Sequence, residues 1–319
     1  MVETSPVLAE IVRSGIVEGA HRGIAVALAA DGSIEYAAGE PSRVVLPRSC
    51  NKPLQAAVMV DLGLDLPEEL LALAGASHSG EDFHVEGVRR ILASAGLGEA
   101  ALQNPPDLPL EPARRDEVLR AGGQPTRLLM NCSGKHAAML ATCVVRGWDC
   151  GTYLAPEHPL QVAIREGFAA LTGERPDVAV DGCGAPLLST SLVGLARAFS
   201  RLATARTGGA AAVAAAMRAH PEYVSGSRRD ECTLLRAVPG MVGKLGAEAC
   251  YAVALPDGRA WALKIDDGSD RARPIVMARL LELAGVLEEA GVDADAIRRT
   301  GEFELLGGGV RVGSIRAAF

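Results

Sequence analysis

Two β-hairpin patterns near opposite ends of the chain constrain its fold more than any other sequence feature. Residues 23–39 read GIAVALAADGSIEYAAG, two short apolar stretches around Asp31-Gly32, and this dipeptide is typical of a hairpin turn. Residues 249–265 read ACYAVALPDGRAWALKI, with a turn at Pro256-Asp257-Gly258. Because strands at both ends enclose a largely helical middle, we predict an α+β fold whose sheet is formed by the N- and C-terminal strands.

The middle of the chain carries amphipathic helical patterns. Apolar residues recur at helical spacing in four stretches: NKPLQAAVMVDLGL after Ser49, EGVRRILASAGL, TSLVGLARAFSRLAT, and RPIVMARLLELAGVLEEAG at 273–291. No internal repeat or linker separates independent segments. We therefore expect a single domain, 1–319, with a mixed sheet lobe from both termini and a helical lobe at roughly 55–240.

Charge and cysteine usage narrow the class of protein. The formal net charge of −7 argues against a nucleic-acid partner, because phosphate binding needs a basic face. No apolar run approaches the ~20 residues that span a bilayer, and no signal-peptide pattern begins the sequence. Seven cysteines, an odd number, do not resemble a secreted disulfide framework. We expect a cytoplasmic protein that binds neither nucleic acid nor membrane.

The lysines are unusually few. The sequence has 32 Lys and Arg residues together, of which only Lys52, Lys135, Lys244 and Lys264 are lysines. Arginine keeps its proton in proteins, whereas a buried lysine can lose its proton. All four lysines lie in segments rich in glycine, serine or cysteine rather than on the outer face of an amphipathic helix. This distribution predicts that chemistry occurs at the lysines.

The first lysine belongs to a Ser49-x-x-Lys52 motif at the start of a predicted helix. Residues three apart on a helix share one face, so the amine can reach the hydroxyl. Such a pair is typical of a nucleophilic serine that a lysine base activates. The alternative is a helix-capping serine followed by an ordinary lysine.

A second cluster is MNCSGKHAAML at 130–140, where Cys132, Lys135 and His136 lie close together at the start of a predicted helix. A helix N-terminus lowers the pKa of a thiol, so Cys132 could be a nucleophile or a metal ligand. Cys183, in VDGCGAPLL, has similar surroundings. The alternative is that both cysteines are buried apolar residues without a ligand.

A third cluster, GASHSGEDFH at 75–84, holds two serines, two histidines and two acids. It fits a capped loop before an acidic first helical turn. It also fits a loop that places a second hydroxyl in a pocket. The pattern alone leaves both interpretations open.

Together these segments resemble the asparaginase II family, the rhizobial-type L-asparaginases. The resemblance runs through most of the chain in the segments GIVEGAHRG, RSCNKPLQ, ASHSGED, NCSGKHAAML, DGCGAP, HPEYVSG, VGKLGAEACYA and LKIDDG. It implies a fold similar to serine β-lactamases and glutaminases, and a homodimer. It further implies that the domain is catalytic and hydrolyses L-asparagine to L-aspartate and ammonia.

The resemblance also implies roles for individual residues. It pairs Ser49 with Lys52 and Ser77 with Lys264 in one pocket, and it implies a zinc site. The implied zinc ligands are Cys132, Lys135 and Cys183. Beside these residues, the candidates for binding an amino-acid substrate are Arg48 for its carboxylate, Asp181 for its ammonium and His136 as a further polar contact.

Two alternatives to an asparaginase stay open at this point. One is another S-x-x-K hydrolase, such as an esterase or a penicillin-directed enzyme. Lys264 lies in KIDDG rather than the KTG of β-lactamases, and no SDN motif is present, which weakens the penicillin-directed alternative. The other is a zinc-binding, redox-responsive regulator without catalysis, in which Cys132 and Cys183 would act as the sensor.

Overall fold

The computed structural model describes residues 5–319, and these residues form twelve strands and twelve α-helices. The strands are β1 (Val7–Arg13), β2 (Ile16–Leu28), β3 (Ile34–Ala38), β4 (Val44–Val45), β5 (Val178–Val180), β6 (Pro186–Leu188), β7 (Thr190–Ser191), β8 (Val242–Gly246), β9 (Cys250–Ala254), β10 (Ala260–Ile265), β11 (Phe303–Gly307) and β12 (Val310–Ala317). The helices are α1 (Lys52–Asp61), α2 (Glu68–Ala74), α3 (Asp82–Ser94), α4 (Pro112–Arg120), α5 (Ser133–Arg146), α6 (Pro159–Thr172), α7 (Leu192–Thr204), α8 (Gly208–Ala219), α9 (Pro221–Val224), α10 (Asp230–Ala237), α11 (Arg273–Leu283) and α12 (Ala294–Thr300).

The described chain divides into two compact units. The sheet unit comprises residues 5–50, 190–203 and 233–319. The helical unit comprises residues 51–189 and 204–232.

An antiparallel sheet organises the sheet unit. Its strand order is β11-β12-β1-β2-β10-β9-β8, and β3 also pairs with β2. The two predicted hairpins correspond to β2–β3 and β9–β10, so both predictions are confirmed. The predicted α+β class, with one sheet built from both ends of the chain, is also confirmed. Helix α11 packs on β10 and β9, and every residue of β8 and β9 is buried.

Helix α1 is the central element of the helical unit. It packs against α5, α6 and α8, and eight of its ten residues are buried. The approach of α8 is close enough that a Cβ on Gly209 would lie 1.9 Å from the Ala57 carbonyl oxygen. Because helices surround α1, a polar side chain on it must find its partners inside the protein.

The predicted helix at 273–291 is shorter than its apolar pattern indicates. Helix α11 ends at Leu283, and Gly285 follows with a left-handed φ of +71°. A short 3₁₀ turn, Val286–Glu288, then continues the chain. Glycine adopts this conformation without the steric cost that other residues incur, so it ends the helix despite the apolar residues beyond it.

Among residues 5–319, no helix combines the length and the apolar character that crossing a membrane requires.

Candidate active site

The residues predicted to form the site fall into two groups. The sheet unit contains Arg48, Ser49 and Lys264. The helical unit contains Lys52, Ser77, Cys132, Lys135, His136, Asp181 and Cys183. In each predicted Ser–Lys pair, one residue belongs to the sheet unit and the other to the helical unit. Both pairings stay predictions.

In the sheet unit, Ser49 lies in a 3₁₀ turn, Arg48–Asn51, that lies close against strand β8. Gly246 permits this approach, because a Cβ there would lie 2.3 Å from the Pro47 carbonyl oxygen and 3.3 Å from the Ser49 nitrogen. The Cys50 thiol links the turn to β8 by donating a hydrogen bond to the Lys244 carbonyl oxygen at 2.9 Å. The position of Ser49 thus depends on a glycine that is distant in sequence.

We expect Gly246→Ala to destabilise the protein by about 2 kcal/mol or more, because the new methyl group would overlap backbone atoms that cannot move aside easily. Urea denaturation of the variant measures this effect. Gly19→Ala is the matched control in the same sheet, since its Cβ would meet Ile11 at an ordinary 3.5 Å. Equal stability of the two variants would contradict the proposed close packing.

Lys264 lies beside a small charged cavity of the sheet unit. The cavity has a volume of about 360 Å³ and is lined by Arg43, Arg48, Glu248, Lys264, Asp266 and the apolar residues 44–46. Burial lowers the pKa of Lys264 from its ordinary value, and the charge of Arg43 acts in the same direction, while Glu248 and Asp266 oppose the shift. A lowered pKa favours the neutral amine that a lysine base requires.

In the helical unit, the buried Lys52 contacts Ser77. Its side chain is only 1% exposed, and its Nζ donates to the Ala76 carbonyl oxygen at 2.7 Å and to Ser77 Oγ at 2.9 Å. Ser77 is itself held by a hydrogen bond from its backbone N–H to the Val224 carbonyl oxygen. The structure therefore brings a buried amine directly onto the hydroxyl of Ser77.

Two buried histidines support the loop that carries Ser77. His78 Nδ1 accepts from the Gly80 N–H, so its Nε2 carries the proton and donates to Ser133 Oγ at 2.7 Å. His84 Nδ1 accepts from the Glu81 N–H, and its Nε2 donates to the Glu222 carbonyl oxygen. The two rings stack with centroids 5.2 Å apart. Their hydrogen bonds require the neutral imidazole in both cases.

These histidines predict a loss of stability in acid. Burial lowers the pKa of His84 to about 4, against the opposing effect of Glu81 and Glu222, and burial holds the pKa of His78 well below its ordinary value, assisted by His84 and Lys52. The native state therefore binds fewer protons than the unfolded state below about pH 6.5. We expect the unfolding free energy to fall by about 3 kcal/mol for His84 alone between pH 6.5 and 4.

Urea denaturation at pH 7 and at pH 4.5 measures this loss. In His84→Gln the contribution of this residue disappears, so the unfolding free energy should depend less on pH. A wild-type unfolding free energy that is the same at both pH values would contradict the assignment of a neutral, buried His84.

Cys132, Lys135 and Cys183 lie together, as the predicted zinc site requires. Cys132 directly precedes helix α5, and Cys183 lies in the turn between β5 and β6. The two buried cysteines belong to one packed cluster. Lys135 Nζ donates to Cys183 Sγ at 3.1 Å.

The ionisable groups of this cluster shift one another's pKa values. A hydrogen bond from Cys132 holds the pKa of Cys183 well below its usual range, and the nearby Lys135 acts in the same direction against the effect of burial. The same hydrogen bond, with burial, raises the pKa of the Cys132 thiol. Burial alone would lower the pKa of Lys135, but the negative charges of Cys183 and Cys132 raise it. Lys135 Nζ and Cys183 Sγ, which lie 3.1 Å apart, therefore favour each other's charged forms.

His136 and Asp181 lie at the edge of the same cluster. His136 Nδ1 is hydrogen-bonded to the Tyr153 hydroxyl at 2.7 Å, and burial lowers the pKa of this histidine to about 4. The interaction of His136 with Cys183 opposes this lowering of the pKa. The Asp181 carboxylate accepts from the Gly182 N–H and lies 3.8 Å from Cys183 Sγ. Within residues 5–319, no group of three or more His, Cys, Asp or Glu side chains suited to a metal ion is found.

All four lysines are shielded from solvent. Lys52, Lys135 and Lys244 are at most 2% exposed, and Lys264 is partly buried. Lys244, which the sequence analysis left without a role, donates to the Leu245 carbonyl oxygen. The distribution of lysine in the sequence therefore identified buried amines.

Two features of the site were missed by the sequence analysis. The hydrogen bond between His78 and Ser133 links two of the predicted motifs, ASHSGED and NCSGKH, and only the folded chain reveals it. Glu248 lines the same cavity as Arg48 and Lys264. One sequence feature could have indicated Glu248. The pair Glu248-Ala249 occupies a hairpin turn, where Asn-Gly is the typical dipeptide.

Comparison with known proteins identifies the family to which this chain belongs. A family model described as L-asparaginase II matches residues 9–317. The chain belongs to the asparaginase II family. Membership in the asparaginase II family supports a hydrolase that acts on amides, with a small molecule as its substrate. A search of curated proteins found no match.

Several solved structures resemble this member of the asparaginase II family at low sequence identity. A β-lactamase from Mycobacterium bovis is 17% identical, with a TM-score of 0.45 over 82% of this chain and 94% of the other. The protein Mglu is 14% identical, with a TM-score of 0.47 over 83% of this chain and 61% of its own length. Simvastatin synthase from Aspergillus terreus is 12% identical, with a TM-score of 0.38 over 76% of this chain and 86% of the other.

Proposed function

We propose that this protein is an L-asparaginase that hydrolyses L-asparagine to L-aspartate and ammonia by serine–lysine chemistry. The observation that carries the proposal is the buried Lys52 Nζ, 2.9 Å from Ser77 Oγ, in a chain of the asparaginase II family. A lysine in this position can exchange a proton with a hydroxyl, which arginine cannot do.

In the proposed reaction, Ser49 attacks the side-chain amide carbon of asparagine and Lys52 accepts its proton. The C–N bond then breaks, and the leaving nitrogen takes up a proton and departs as ammonia. Water hydrolyses the resulting aspartyl ester and regenerates the serine. In the reverse assignment, Ser77 is the nucleophile and Lys52 deprotonates it directly. The hydrogen bond between these two residues supports the reverse assignment as much as a relay role for Ser77.

The hydrogen bonds of Lys52 are compatible with both protonation states. An ammonium donates to the Ala76 carbonyl oxygen and to Ser77 Oγ. A neutral amine in the same place would still donate to Ala76 and would accept the Ser77 hydroxyl proton through its lone pair. Lys264, with its lowered pKa, would complete the proton relay from the sheet unit. In that role it pairs with Ser77, as the family resemblance implies.

Recognition of an amino-acid substrate requires a cation for its carboxylate. Arg48 lines the charged cavity that also contains Lys264, and we assign it this role. His136 and Asp181 are proposed as further polar contacts to substrate. The cytoplasmic location and the homodimer also stay predictions.

A zinc ion fits the thiol cluster of the helical unit. Two buried thiols packed in one cluster are suitable donors for zinc. Lys135 would have to lose its proton to add an amine nitrogen, and the positive charge of the metal would favour that loss. Cys132, Lys135 and Cys183 would hold the ion. Bound zinc would supply positive charge, which could polarise a nearby group or hold the surrounding residues in place. We propose the second, structural role, because the serines already provide a nucleophile.

The zinc proposal predicts the metal content of two matched variants. Elemental analysis of purified wild-type protein should find one zinc per chain, and Cys183→Ala should lose it because a thiolate ligand is removed. Cys143→Ala is the control, since Cys143 is equally buried but lies outside the cluster. Zinc retained in full by Cys183→Ala would contradict the proposed ligand set.

Ammonia release from L-asparagine, compared with turnover of nitrocefin, tests the proposed function against its main alternative. We expect ammonia release and no nitrocefin turnover. Nitrocefin turnover without ammonia release would identify another S-x-x-K hydrolase instead. Absence of both activities in folded, zinc-loaded protein would favour a regulator without catalysis.

A further inference from the structure

Two segments of the helical unit, residues 77–81 and residues 224–227, lie side by side. The first is the loop that carries Ser77. The Ser77 N–H donates to the Val224 carbonyl oxygen at 3.1 Å. The backbone of Ser77 is therefore held by a segment that is distant in sequence, so its position depends on whatever fixes residues 224–227.

The two segments approach each other closely beyond this hydrogen bond. The Ser79 hydroxyl donates to the Ser225 carbonyl oxygen at 2.9 Å. Gly226 follows with a φ of +142°, and a Cβ there would lie 2.1 Å from Ser79 Oγ and 2.6 Å from Ser79 Cβ. Both the backbone conformation and the close contact favour glycine at this position.

The carboxylate of Glu81 joins the far end of the two segments. The Ser227 N–H donates to Glu81 Oε1 at 2.8 Å, and the Ser227 hydroxyl donates to Glu81 Oε2 at 2.6 Å. Hydrogen bonds to an ionised acceptor are stronger than those between neutral groups. Glu81 is also fixed at its backbone, because its N–H donates to His84 Nδ1.

Neighbouring charges are engaged elsewhere and do not hold this segment in place of Glu81. Arg114 pairs with Asp82, and Arg228 lies 3.3 Å from Glu117. Among residues 5–319, Glu81 itself forms no ion pair. Both of its carboxylate oxygens instead accept from one serine, 146 residues away.

These contacts bear on the Lys52–Ser77 hydrogen bond. Lys52 Nζ donates to the Ala76 carbonyl oxygen and to Ser77 Oγ, so a shift of the loop would change the distance between amine and hydroxyl. We propose that Glu81 is a positioning residue of the reaction, which keeps Ser77 Oγ within reach of Lys52 Nζ by fixing residues 224–227 against the loop. This inference rests on the proposed asparaginase function. It applies to both assignments of the nucleophile, because both use this hydrogen bond, and Glu81 itself transfers no proton.

Replacing Glu81 with alanine removes the acceptor of both Ser227 hydrogen bonds. We expect Glu81→Ala to lower kcat for L-asparagine about 10- to 100-fold, because small displacements of reacting groups are costly. KM should stay within about threefold of wild type, since Glu81 does not touch the substrate. Steady-state assays of ammonia release measure both constants, and thermal denaturation establishes that the variant is folded.

The conservative variant separates position from charge. In Glu81→Gln the amide oxygen can accept from the Ser227 N–H, and the amide NH₂ can donate to the Ser227 hydroxyl. This variant should therefore keep kcat within about threefold of wild type. A loss as large as that of Glu81→Ala would mean that the negative charge is required, and it would overturn the positioning role.

A substitution on the other side of the contact leaves helix α3 untouched. Glu81 and His84 form a capping box at the start of α3, so Glu81→Ala also alters that helix end. Ser227→Ala removes one hydrogen bond without this effect and should lower kcat about three- to tenfold. The double variant should match Glu81→Ala alone, because the acceptor is already absent. Fully additive losses would overturn the inference.

Asp149→Ala is the matched control in the same unit. The Asp149 carboxylate also accepts from a backbone N–H, that of Gly151 at 2.9 Å, and from a hydroxyl, that of Thr152 at 2.7 Å. These hydrogen bonds are local and do not reach the Ser77 loop. We expect kcat and KM of Asp149→Ala to equal those of wild type.

Hydrogen exchange distinguishes this inference from the proposed function. Exchange of the Ser77 amide, followed by NMR, should be at least about tenfold faster in Glu81→Ala than in wild type, because its acceptor at Val224 is no longer fixed. The rate should not change in Asp149→Ala. If the wild-type protein released no ammonia, the proposed function would fail, and the exchange rate would still show whether Glu81 holds Ser77. An unchanged rate in Glu81→Ala would overturn the inference.

Discussion

Replacing Ser49 with alanine should lower the rate of ammonia release from L-asparagine by about 10⁴-fold or more, because the variant has no hydroxyl to form the covalent ester. Replacing Ser77 with alanine should have a smaller effect, about 10²-fold, if Ser77 only relays a proton. Steady-state assays of both variants measure this difference. Ser94→Ala is the control, since the hydroxyl of Ser94 caps the end of helix α3 by donating to the Ile91 carbonyl oxygen.

The two serine variants also decide which hydroxyl attacks. A loss of about 10⁴-fold in Ser77→Ala, with a smaller loss in Ser49→Ala, would assign the nucleophile to the residue that Lys52 touches. Mass spectrometry of protein quenched during turnover would locate the aspartyl ester on one serine. Ammonia release at the wild-type rate in both variants would contradict the proposed mechanism.

Replacing Lys52 with methionine should reduce turnover by about 10³-fold or more, because the proposed general base is removed. Methionine fills a similar volume, so the variant should fold, although Ala76 and Ser77 lose the donor that Lys52 provides. Lys52→Arg should be as inactive as Lys52→Met, since arginine retains a positive charge but does not release its proton. The comparison therefore separates a need for charge from a need for a base.

Lys244→Met controls for the general effect of replacing a buried lysine, since Lys244 is fully buried and has no proposed role in the reaction. Thermal denaturation establishes that each variant is folded before its rate is compared. A Lys52→Arg variant with near wild-type activity would show that the charge of this residue is sufficient and would remove the base from the mechanism.

Local sequence patterns predicted the elements that have strong turn signals. Asp31-Gly32 and Pro256-Asp257-Gly258 marked the hairpins that the structure contains. Strands β1, β11 and β12 were not predicted, because their residues are only partly buried and alternate weakly. The apolar residues beyond Leu283 extended the predicted helix past Gly285, whose backbone conformation ends it.

The sequence predicted which residues belong to the candidate site better than it predicted which of them contact one another. The scarcity of lysine identified Lys52 and Lys135, and both are buried against hydroxyl or thiol groups. The hydrogen bond from Lys52 to Ser77 was not predicted, because it depends on how the loop after α2 folds back onto the start of α1. The sequence analysis instead paired Lys52 with Ser49, because Ser49 lies only three residues before Lys52.

The antiparallel pairing of β1 with β12 also determines when this protein can fold. Ala9 lies opposite Ala317 in the sheet, so about three hundred residues must be synthesised between the two partners. During translation, β1 can pair with β2 while its other edge stays open, which exposes a template for aggregation. Contacts between residues so far apart in the sequence form slowly. We therefore expect the sheet to be completed only after translation. Until β12 has been synthesised, we expect the nascent chain to need a partner that covers the open edge of β1.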